Sequence, residues 1–256
     1  MSLRFCSLGS GSEGNALLVE ADGRAVMLDC GFGIAETERR MARVELGPEC
    51  LDAIIVTHEH SDHIGGVARF ARKHRLPVWL TAGTASLLDT TILPVEHLRT
   101  IDPHAGFDVG ALRITPFAVP HDAAEPVQFV FSDGAARLGV MTDTGTITAN
   151  IEEHLTACDA LVLECNHDVD MLTNGPYPDR LKKRVGGKFG HLDNRAAASL
   201  LANIDCTHLK HIVAAHLSKT NNRPELAQQA LADALNCDPV WIGVAGQEAG
   251  FAWREV

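Results

Sequence analysis

Short apolar runs separated by polar and glycine-containing breaks dominate the pattern along the chain. Such runs are typical of strands buried inside a protein. They predict strands at 3–8, 15–20, 25–29, 53–57, 78–80, 111–119, 127–132, 137–142, 160–164, 211–215 and 239–244. Helical periodicity is rarer and predicts helices at 35–44, 63–74, 193–203 and 224–235. Strands mixed with single helices favour sheets in the interior and helices outside them.

A predicted hairpin decides how a glycine motif at 9–14 is interpreted. Residues 15–29 form two apolar runs joined by Asp22-Gly23, a strong signal for a hairpin turn. The glycines at 9–14 spell G-x-G-x-x-G, and Asp29 lies 29 − 9 = 20 residues after the first of them, as in a dinucleotide-binding fingerprint. That fingerprint needs a helix whose N-terminus faces a pyrophosphate. Because a strand follows instead, we reject a Rossmann fold and keep the loop 9–14 only as a candidate anion site.

Length and composition are those of an ordinary globular protein. The chain has 256 residues, 46% hydrophobic and 21% charged, so it can bury a large core without disulfides. No repeat or linker interrupts it, and we expect one domain over 1–256. Its seven cysteines are odd in number and show no C-x-x-C spacing, which favours free thiols in a reducing cytoplasm. We see no signal peptide and no membrane-spanning run, and therefore expect a cytoplasmic protein.

The segment 57–63 concentrates side chains that bind metals. It reads T-H-E-H-S-D-H between a predicted strand and a predicted helix. Three imidazoles and a carboxylate packed so densely would destabilise one another without a cation. His58 and His60 can project together toward one ion, while Asp62 and His63 can turn toward a second. Imidazole nitrogens suit zinc, and carboxylates extend the choice to manganese or iron.

Four ligands cannot fill two metal sites, so further ligands must come from elsewhere in the chain. His121, Asp143 and His216 each stand where a predicted strand gives way to a loop. Residues at strand ends commonly build a site at the edge of a sheet. Each of the three alone is more often an ordinary polar residue. As a set, in a chain that already holds the 58–63 cluster, they are candidate metal ligands.

H-x-H-x-D-H after a strand, preceded by a strand that ends in Leu28-Asp29-Cys30-Gly31, resembles the metallo-β-lactamase-fold hydrolases. The resemblance covers nearly the whole chain. It implies a mixed α/β (α+β) fold, a four-layer αββα sandwich with two divalent metal ions at one edge. The ions would be zinc or manganese, with iron as a further option. The resemblance implies one ion on His58, His60 and His121, the other on Asp62, His63 and His216, with Asp143 bridging them and Asp29 orienting the histidine loop from behind.

Four further stretches, at 7–15, 164–168, 190–194 and 216–222, resemble the YycJ/WalJ-like branch of this fold. That branch is related to ribonuclease Z and implies phosphodiester hydrolysis on nucleic acid, with exonuclease activity. Ribonuclease Z-like enzymes place a proton-transferring histidine shortly before the last metal ligand, and His191 lies 216 − 191 = 25 residues before His216. The S-x-R-Y that follows the last ligand in ribonuclease Z is Ser218-Lys219-Thr220-Asn221 here, so we do not expect tRNA 3′ processing. No inserted β-CASP domain separates Asp143 from His216.

The resemblance also implies catalytic roles for Asp62 and His191. Two ions about 3.5–4 Å apart lower the pKa of a shared water toward about 7, and the resulting bridging hydroxide would attack phosphorus. Asp62 would orient this nucleophile, and His191 would protonate the leaving oxygen, a transfer that contributes roughly 10²–10⁴-fold. The alternative for His191 is a polar residue at a helix entry, with Asp193 or Asn194 capping the helix.

The segment between Glu164 and His191 is locally basic although the net charge of the chain is −11. That net charge argues only weakly against nucleic-acid binding, because a local cationic groove remains compatible with it. Glycines near the C-terminal end of the segment 166–190 would let it move as a lid. A solvated amphipathic helix is an equally good interpretation of the basic residues. The candidate substrate-binding residues, basic side chains with an aromatic beside them, are Tyr177, Arg180, Lys182, Lys183 and Arg184.

The leading prediction is a metal-dependent phosphodiesterase or exonuclease acting on single- or double-stranded nucleic acid. The first alternative is a small-molecule thioester or lactone hydrolase resembling glyoxalase II, but the extra C-terminal substrate helices of those relatives are missing. The second is a metal-binding protein without catalysis, which is disfavoured because every expected ligand position holds a competent side chain. Metal identity, DNA versus RNA, cleavage polarity and the choice between monomer and homodimer stay open.

Overall fold

The computed structural model describes residues 2–88 and 90–256, and within these ranges the strands form two sheets of seven strands each. The strands are β1 Arg4–Gly9, β2 Ala16–Ala21, β3 Arg24–Leu28, β4 Leu51–Ile55, β5 Val78–Thr81, β6 Leu98–Ile101, β7 Phe107–Val109, β8 Leu112–Ala118, β9 Val127–Ser132, β10 Arg137–Met141, β11 Ala160–Glu164, β12 His211–Ala215, β13 Gly243–Val244 and β14 Phe251–Glu255. The helices are α1 Ile34–Arg43, α2 Ser61–Ile64, α3 Val67–His74, α4 Ala82–Ala85, α5 Ala149–Leu155, α6 Val169–Asn174, α7 Asp179–Val185, α8 Asn194–Asn203 and α9 Pro224–Leu235. Short 3₁₀ helices lie at Pro48–Cys50, Val95–His97 and Pro239–Trp241. The strand order is β14-β1-β2-β3-β4-β5-β6 in one sheet and β13-β12-β11-β10-β9-β8-β7 in the other.

Apolar side chains cover both faces of the central strands, because each sheet is buried on both sides. In β1, Phe5 packs in the core between the sheets, and its neighbour Cys6 packs in the core of the opposite face. In β11, Val162 faces the core between the sheets and Leu161 faces the outer core. This arrangement explains why the predicted strands are nearly continuous apolar runs.

Helices cover the outer face of each sheet. Met41 of α1 and Phe70 of α3 pack against the first sheet. Ile151 of α5, Leu200 of α8 and Leu231 of α9 pack against the second. The layers therefore run helix, sheet, sheet, helix, and the predicted four-layer αββα sandwich is confirmed. Within the described ranges, no helix combines the length and the apolar character that crossing a bilayer requires.

The predicted hairpin is present and excludes a helix after the glycine motif. β2 and β3 pair antiparallel with Ala21 opposite Arg24. The two turn residues have positive φ angles, 56° at Asp22 and 74° at Gly23, as a two-residue hairpin turn of this hand requires. Because β2 begins two residues after Gly14, no helix N-terminus faces the loop 9–14.

Two predicted elements differ from the structure. The helix predicted at 63–74 is two helices, α2 and α3, separated by Gly65 and Gly66. The backbone at Gly66 packs so closely on the Phe32 carbonyl that a Cβ would overlap it. The strand predicted at 239–244 is wrong over its first half, which is the 3₁₀ helix Pro239–Trp241, since Pro239 has no N–H to pair in a sheet.

The strand directions bring one set of loops to a common edge of the sandwich. β3 and β4 are parallel, and so are β10, β11 and β12. β8 runs in the direction of β10 because β9 lies antiparallel between them. The polar residues that end these strands or follow them gather at this edge; they are Asp29, His58, His121, Asp143, Glu164 and His216.

Candidate metal centre

Backbone contacts set the position of the H-x-H-x-D-H motif. His60 is the N-cap residue of α2, and Asp62 and His63 lie in the first turn of that helix. The loop is tied to the start of β2, since Asn15 N donates to Asp62 O at 2.8 Å. Gly31 lies so close to the same carbonyl that a Cβ would overlap it. The motif can therefore present its side chains from a backbone that is held on both sides.

His58, His60 and His121 direct one ring nitrogen each toward a common point. His60 Nδ1 lies 3.1 Å from His58 Nε2 and 3.2 Å from His121 Nε2. Nitrogens bound at about 2.0–2.1 Å to one tetrahedral ion would be about 3.3 Å apart. The remaining nitrogens of two rings donate elsewhere, His60 Nε2 to Asp122 O at 3.2 Å and His121 Nδ1 to Gly190 O at 2.9 Å. The converging nitrogens are thus free to offer lone pairs.

Burial keeps two of these imidazoles neutral. It holds the pKa of His58 well below its usual range, with the nearby charge of His63 as a further cause. Burial also lowers the pKa of His121. Neutral imidazole is the form that binds a metal ion. These two side chains are therefore in the protonation state that a metal ligand needs.

Asp62, His63 and His216 form a second set of converging donors. Asp62 Oδ2 lies 3.3 Å from His216 Nε2 and 3.5 Å from His63 Nε2. His216 follows β12 with a φ of 54°, and its N–H donates to Ser10 Oγ at 2.9 Å. Asn15, to which the sequence analysis assigned no role, lies beside this set. Its Nδ2 is 3.1 Å from His63 Nε2 and 3.3 Å from Asp62 Oδ2.

Asp143 lies between the two sets. Its Oδ2 is 3.2 Å from His63 Nε2, and its Oδ1 is 3.6 Å from His216 Nδ1 and 3.9 Å from His121 Nε2. The side chain is buried, yet Oδ2 has no hydrogen-bond partner among the described residues. A buried carboxylate oxygen without a partner is costly unless a cation lies beside it. This position suits a carboxylate shared by two ions.

The carboxylates of the site create an excess of negative charge. Burial alone would lower the pKa of His216, but Asp143, Asp62 and Glu164 raise it to about 10. Asp143 and Asp29 likewise raise the pKa of His63 well above its usual range despite its burial. Such shifts mean that the site favours added positive charge. The nitrogen and oxygen donors of both sets fit divalent metal ions, which would supply that charge.

Asp29 supports the histidine loop from behind. Its Oδ2 accepts from His63 Nδ1 at 2.8 Å and from Thr57 Oγ1 at 2.9 Å, and its Oδ1 accepts from Thr57 N at 2.9 Å. A carboxylate that accepts from one nitrogen of an imidazole directs the other nitrogen at the metal. Asp29 therefore lies behind the histidine loop and holds the ring of His63.

His191 stands beside Asp143 and is held by Glu164. His191 Nδ1 lies 2.7 Å from Glu164 Oε1 and 3.4 Å from Asp143 Oδ1. The other oxygen of Glu164 accepts from Thr144 N at 2.9 Å and from Leu192 N at 3.2 Å. Since Nδ1 donates to Glu164, the Nε2 of His191 is left for a group in the cleft.

The pKa shifts of this pair have a common cause. Burial alone would raise the pKa of Glu164, but the charge and hydrogen bond of His191 lower it. Burial alone would lower the pKa of His191, but Glu164 raises it. The alternative interpretation of His191, a polar residue at a helix entry, expected Asp193 or Asn194 to cap the helix, and the side chain of Asp193 does accept from two N–H groups at the start of α8. Glu164 had been given no site role, although its place at the end of β11, beside Asp143, is a signal that could have found it.

A cleft of about 300 Å³ opens over these residues, and two of the five candidate substrate-binding residues line it. These two are Tyr177, which precedes α7, and Arg184 within α7. Lys182 and Lys183 line a separate cavity of about 440 Å³. Arg180 lines a third depression. The structure therefore brings Tyr177 and Arg184 to the candidate metal centre and leaves the other three outside the cleft.

The loop 9–14 uses its backbone donors within the protein. Gly11 N donates to Asn15 Oδ1 and Glu13 N to Gln247 Oε1, both at 2.8 Å. Gly14 N donates to Gly11 O at 3.1 Å. Because these groups are engaged, they are not available to an anion, and the loop instead lines the cleft through Ser12.

Several known proteins are similar to this chain in sequence. Residues 24–216 match the model of the beta-lactamase superfamily domain. The chain is 36% identical over 247 residues to the exodeoxyribonuclease YycJ of Bacillus anthracis, covering 96% of this chain and 94% of that protein. It is 31% identical over 252 residues to the exodeoxyribonuclease WalJ of Streptococcus pneumoniae, and the match covers 95% of this chain and 92% of that protein. The chain therefore belongs to the beta-lactamase superfamily, and within it to the YycJ/WalJ-like branch.

A solved structure supports the fold independently. The Zn²⁺-bound PqqB of Methylobacterium extorquens superposes with a TM-score of 0.76, over 99% of this chain and 100% of that chain. At 18% sequence identity this is a likeness of fold alone. Both sheets are thus part of an architecture known from experiment.

Proposed function

We propose that this protein is a metal-dependent phosphodiesterase that degrades DNA from an end. The observation that carries the proposal is the position of His191. Its Nδ1 lies 2.7 Å from Glu164 Oε1 and 3.4 Å from Oδ1 of Asp143, the carboxylate between the two donor sets. A titratable group oriented beside metal donors in a cleft is what protonation of a leaving group needs. The relatives named exodeoxyribonucleases support DNA as the substrate.

The proposed cofactors are two divalent ions, zinc or manganese, with iron as a further option. The unpartnered oxygen of Asp143 and the imidazole nitrogens that face one another support this assignment. When bound, the ions would supply positive charge and Lewis acidity to the phosphate and to the attacking water. The proposed ligands are His58, His60 and His121 for one ion and Asp62, His63 and His216 for the other, with Asp143 shared.

The side chains of the cleft have separate tasks in the proposed reaction. Asp62 accepts a hydrogen bond from the attacking water and so aims its lone pair at phosphorus. As the new oxygen–phosphorus bond forms, the attacking water releases one proton to the solvent and the bond from phosphorus to the leaving nucleoside oxygen breaks. His191 gives the proton on Nε2 to that oxygen, because its Nδ1 is bonded to Glu164. Glu164 stabilises the imidazolium before the transfer.

Tyr177 and Arg184 are the proposed substrate contacts within the cleft. The guanidinium of Arg184 suits a phosphate oxygen because it offers several donors in one plane. Arg180, Lys182 and Lys183 lie outside the cleft, and their charge would attract a polyanionic strand toward it.

The cysteines support a reducing compartment. All seven are free thiols, and Cys6, Cys30, Cys158 and Cys165 are buried. Disulfides are rare in the cytoplasm, so the cytoplasm is the proposed compartment. We also propose that 1–256 acts as one hydrolase domain, since both sheets supply residues to the same site.

The proposal is tested by a side-by-side assay of end-labelled single-stranded DNA, double-stranded DNA, RNA and a thioester. Each substrate is incubated with added zinc or manganese and again after chelation. We expect the enzyme to shorten DNA progressively. This shortening should require metal and should be slower in His191→Ala. Hydrolysis of the thioester alone would overturn the proposed function.

A further inference from the structure

Phe189, two residues before His191 in the sequence, exposes its side chain to solvent. The residue is 61% exposed, whereas the large apolar side chains of the core are buried. A single exposed apolar side chain is common on protein surfaces and carries no meaning alone. The backbone that holds this ring is the unusual feature.

Hydrogen bonds tie this backbone to the loop that carries His121. Phe189 O accepts from Asp122 N at 3.0 Å, and Gly190 O accepts from His121 Nδ1 at 2.9 Å. Asp122 O in turn accepts from His60 Nε2 at 3.2 Å. The ring is therefore carried by a backbone that lies directly behind two of the proposed metal ligands.

The loop is tied equally to the residues after Asp143. Lys188 O accepts from Thr146 Oγ1 at 2.9 Å. Gly145 packs against the loop so closely that a Cβ would overlap Gly190 N and Lys188 O. Every carbonyl from 188 to 190 thus accepts a hydrogen bond from a loop of the site. A backbone held in this way fixes the point from which the exposed side chain of Phe189 projects.

Two exposed cationic side chains belong to the same stretch of chain as Phe189. The side chain of Arg184 is 58% exposed, and its Nε donates to Asp122 Oδ2 at 2.7 Å. Its two terminal nitrogens make no hydrogen bond to any described residue, and Lys188, the residue before Phe189, is exposed and makes no ion pair within the described ranges. An exposed aromatic ring with exposed cationic residues in the same stretch of chain suits nucleic acid, because the ring can stack on a base while the cations bind phosphates. These local cations contrast with the net charge of the whole chain, which is −11.

We propose that Phe189 stacks on a nucleobase next to the scissile phosphate, with Arg184 and Lys188 on the flanking phosphates. The inference rests on the proposed function and adds to it the residue that selects a base-bearing strand over a small phosphodiester. Stacking needs a flat π-face, so tryptophan can replace phenylalanine and alanine cannot.

The test compares DNA with methyl p-nitrophenyl phosphate, a phosphodiester without a nucleobase. For Phe189→Ala we expect the ratio of kcat/KM on DNA to kcat/KM on the small ester to fall about 5- to 150-fold. Phe189→Trp should keep the ratio near the parent value. The matched control is Val240→Ala, which removes an 88% exposed apolar side chain from the 3₁₀ helix Pro239–Trp241 and should leave the ratio unchanged.

A second measurement uses the parent enzyme and does not depend on how the variants fold. DNA with abasic nucleotides at its end lacks the stacking partner, so the parent enzyme should lose about as much on it as Phe189→Ala loses on ordinary DNA. Equal ratios for Phe189→Ala and the parent, or an abasic end that is cleaved as well as an intact one, would overturn the inference. Failure of the proposed function is distinct, since the parent enzyme would then cleave neither the small ester nor DNA.

Discussion

Glu164 Oε1 accepts a hydrogen bond from His191 Nδ1 at 2.7 Å, and the two side chains differ sharply in exposure. Glu164 is fully buried, whereas 20% of the His191 side chain is exposed. The carboxylate therefore fixes the ring from inside, and the exposed edge with Nε2 is left for the substrate. In the proposed reaction the two residues therefore act together.

Replacing either residue of this pair should slow cleavage of DNA without removing metal. His191→Ala should lower kcat by roughly 10²–10⁴-fold, because the leaving oxygen loses its proton donor. Glu164→Gln should also lower kcat, since its neutral amide cannot stabilise the imidazolium. The measurement is single-turnover kinetics on DNA alongside the metal content of each variant.

A substrate with a good leaving group separates this role from a structural one. p-Nitrophenolate leaves without a proton, so both variants should lose much less activity on methyl p-nitrophenyl phosphate than on DNA. If both substrates lost activity equally, His191 would not be the proton donor.

Asp29→Asn should weaken metal binding at His63. Asp29 accepts hydrogen bonds on both oxygens, from Thr57 and from His63. Asparagine has only one acceptor oxygen, so one of these donors loses its partner and the imidazole loses its orientation. We expect the affinity for one of the two ions to fall about 10- to 100-fold, measured by competition with a chromophoric chelator.

The matched control for this change is Asp108→Asn, which neutralises a carboxylate whose side chain is 67% exposed and paired only at the surface with Arg113. Its metal affinity should equal that of the parent protein. An unchanged affinity in Asp29→Asn as well would mean that His63 needs no such support.

Gly31→Ala should destabilise the protein and disturb the centre together. A Cβ at Gly31 would overlap Asp62 O and press on Asn15 N, both backbone atoms of the site. Overpacking of this kind costs about 1–3 kcal/mol. For a chain of this size each kcal/mol lowers the melting temperature by about 2–4 °C.

Gly33→Ala is the control, because nothing lies within 4 Å of a Cβ built there. The measurement is thermal unfolding of both variants monitored by circular dichroism, with metal content determined on the same samples. A melting temperature for Gly31→Ala at the Gly33→Ala value would contradict the close approach of Gly31 to Asp62.

Most residues of the candidate site could be predicted from the sequence, because a polar residue at the end of an apolar run is a local pattern. Asp143 and His216 directly follow short apolar runs, and parallel strands deliver such residues to one edge. Glu164 ends a strand in the same way, but its role depends on His191 and on two N–H groups far away in the sequence. Only the tertiary structure brings those partners together.

The basic segment marks where sequence reasoning could not go further. Lys183 and Arg184 are neighbours in the sequence, yet they line different cavities. Each residue of a helix turns by about 100°, so side chains of α7 must diverge. The sequence alone could not tell which of them face the cleft, because α7 has no apolar stripe long enough to reveal its buried side.

The central claim, that the gathered side chains bind two ions, is tested most directly by the metal content of His60→Ala. His60 Nδ1 is the atom toward which His58 and His121 point, at 3.1 and 3.2 Å. The parent protein and the control His104→Ala, an exposed histidine, should each bind about two equivalents of zinc or manganese. His60→Ala should bind about one equivalent by elemental analysis after dialysis, because the second set of donors stays intact. Full occupancy in His60→Ala would contradict the assignment.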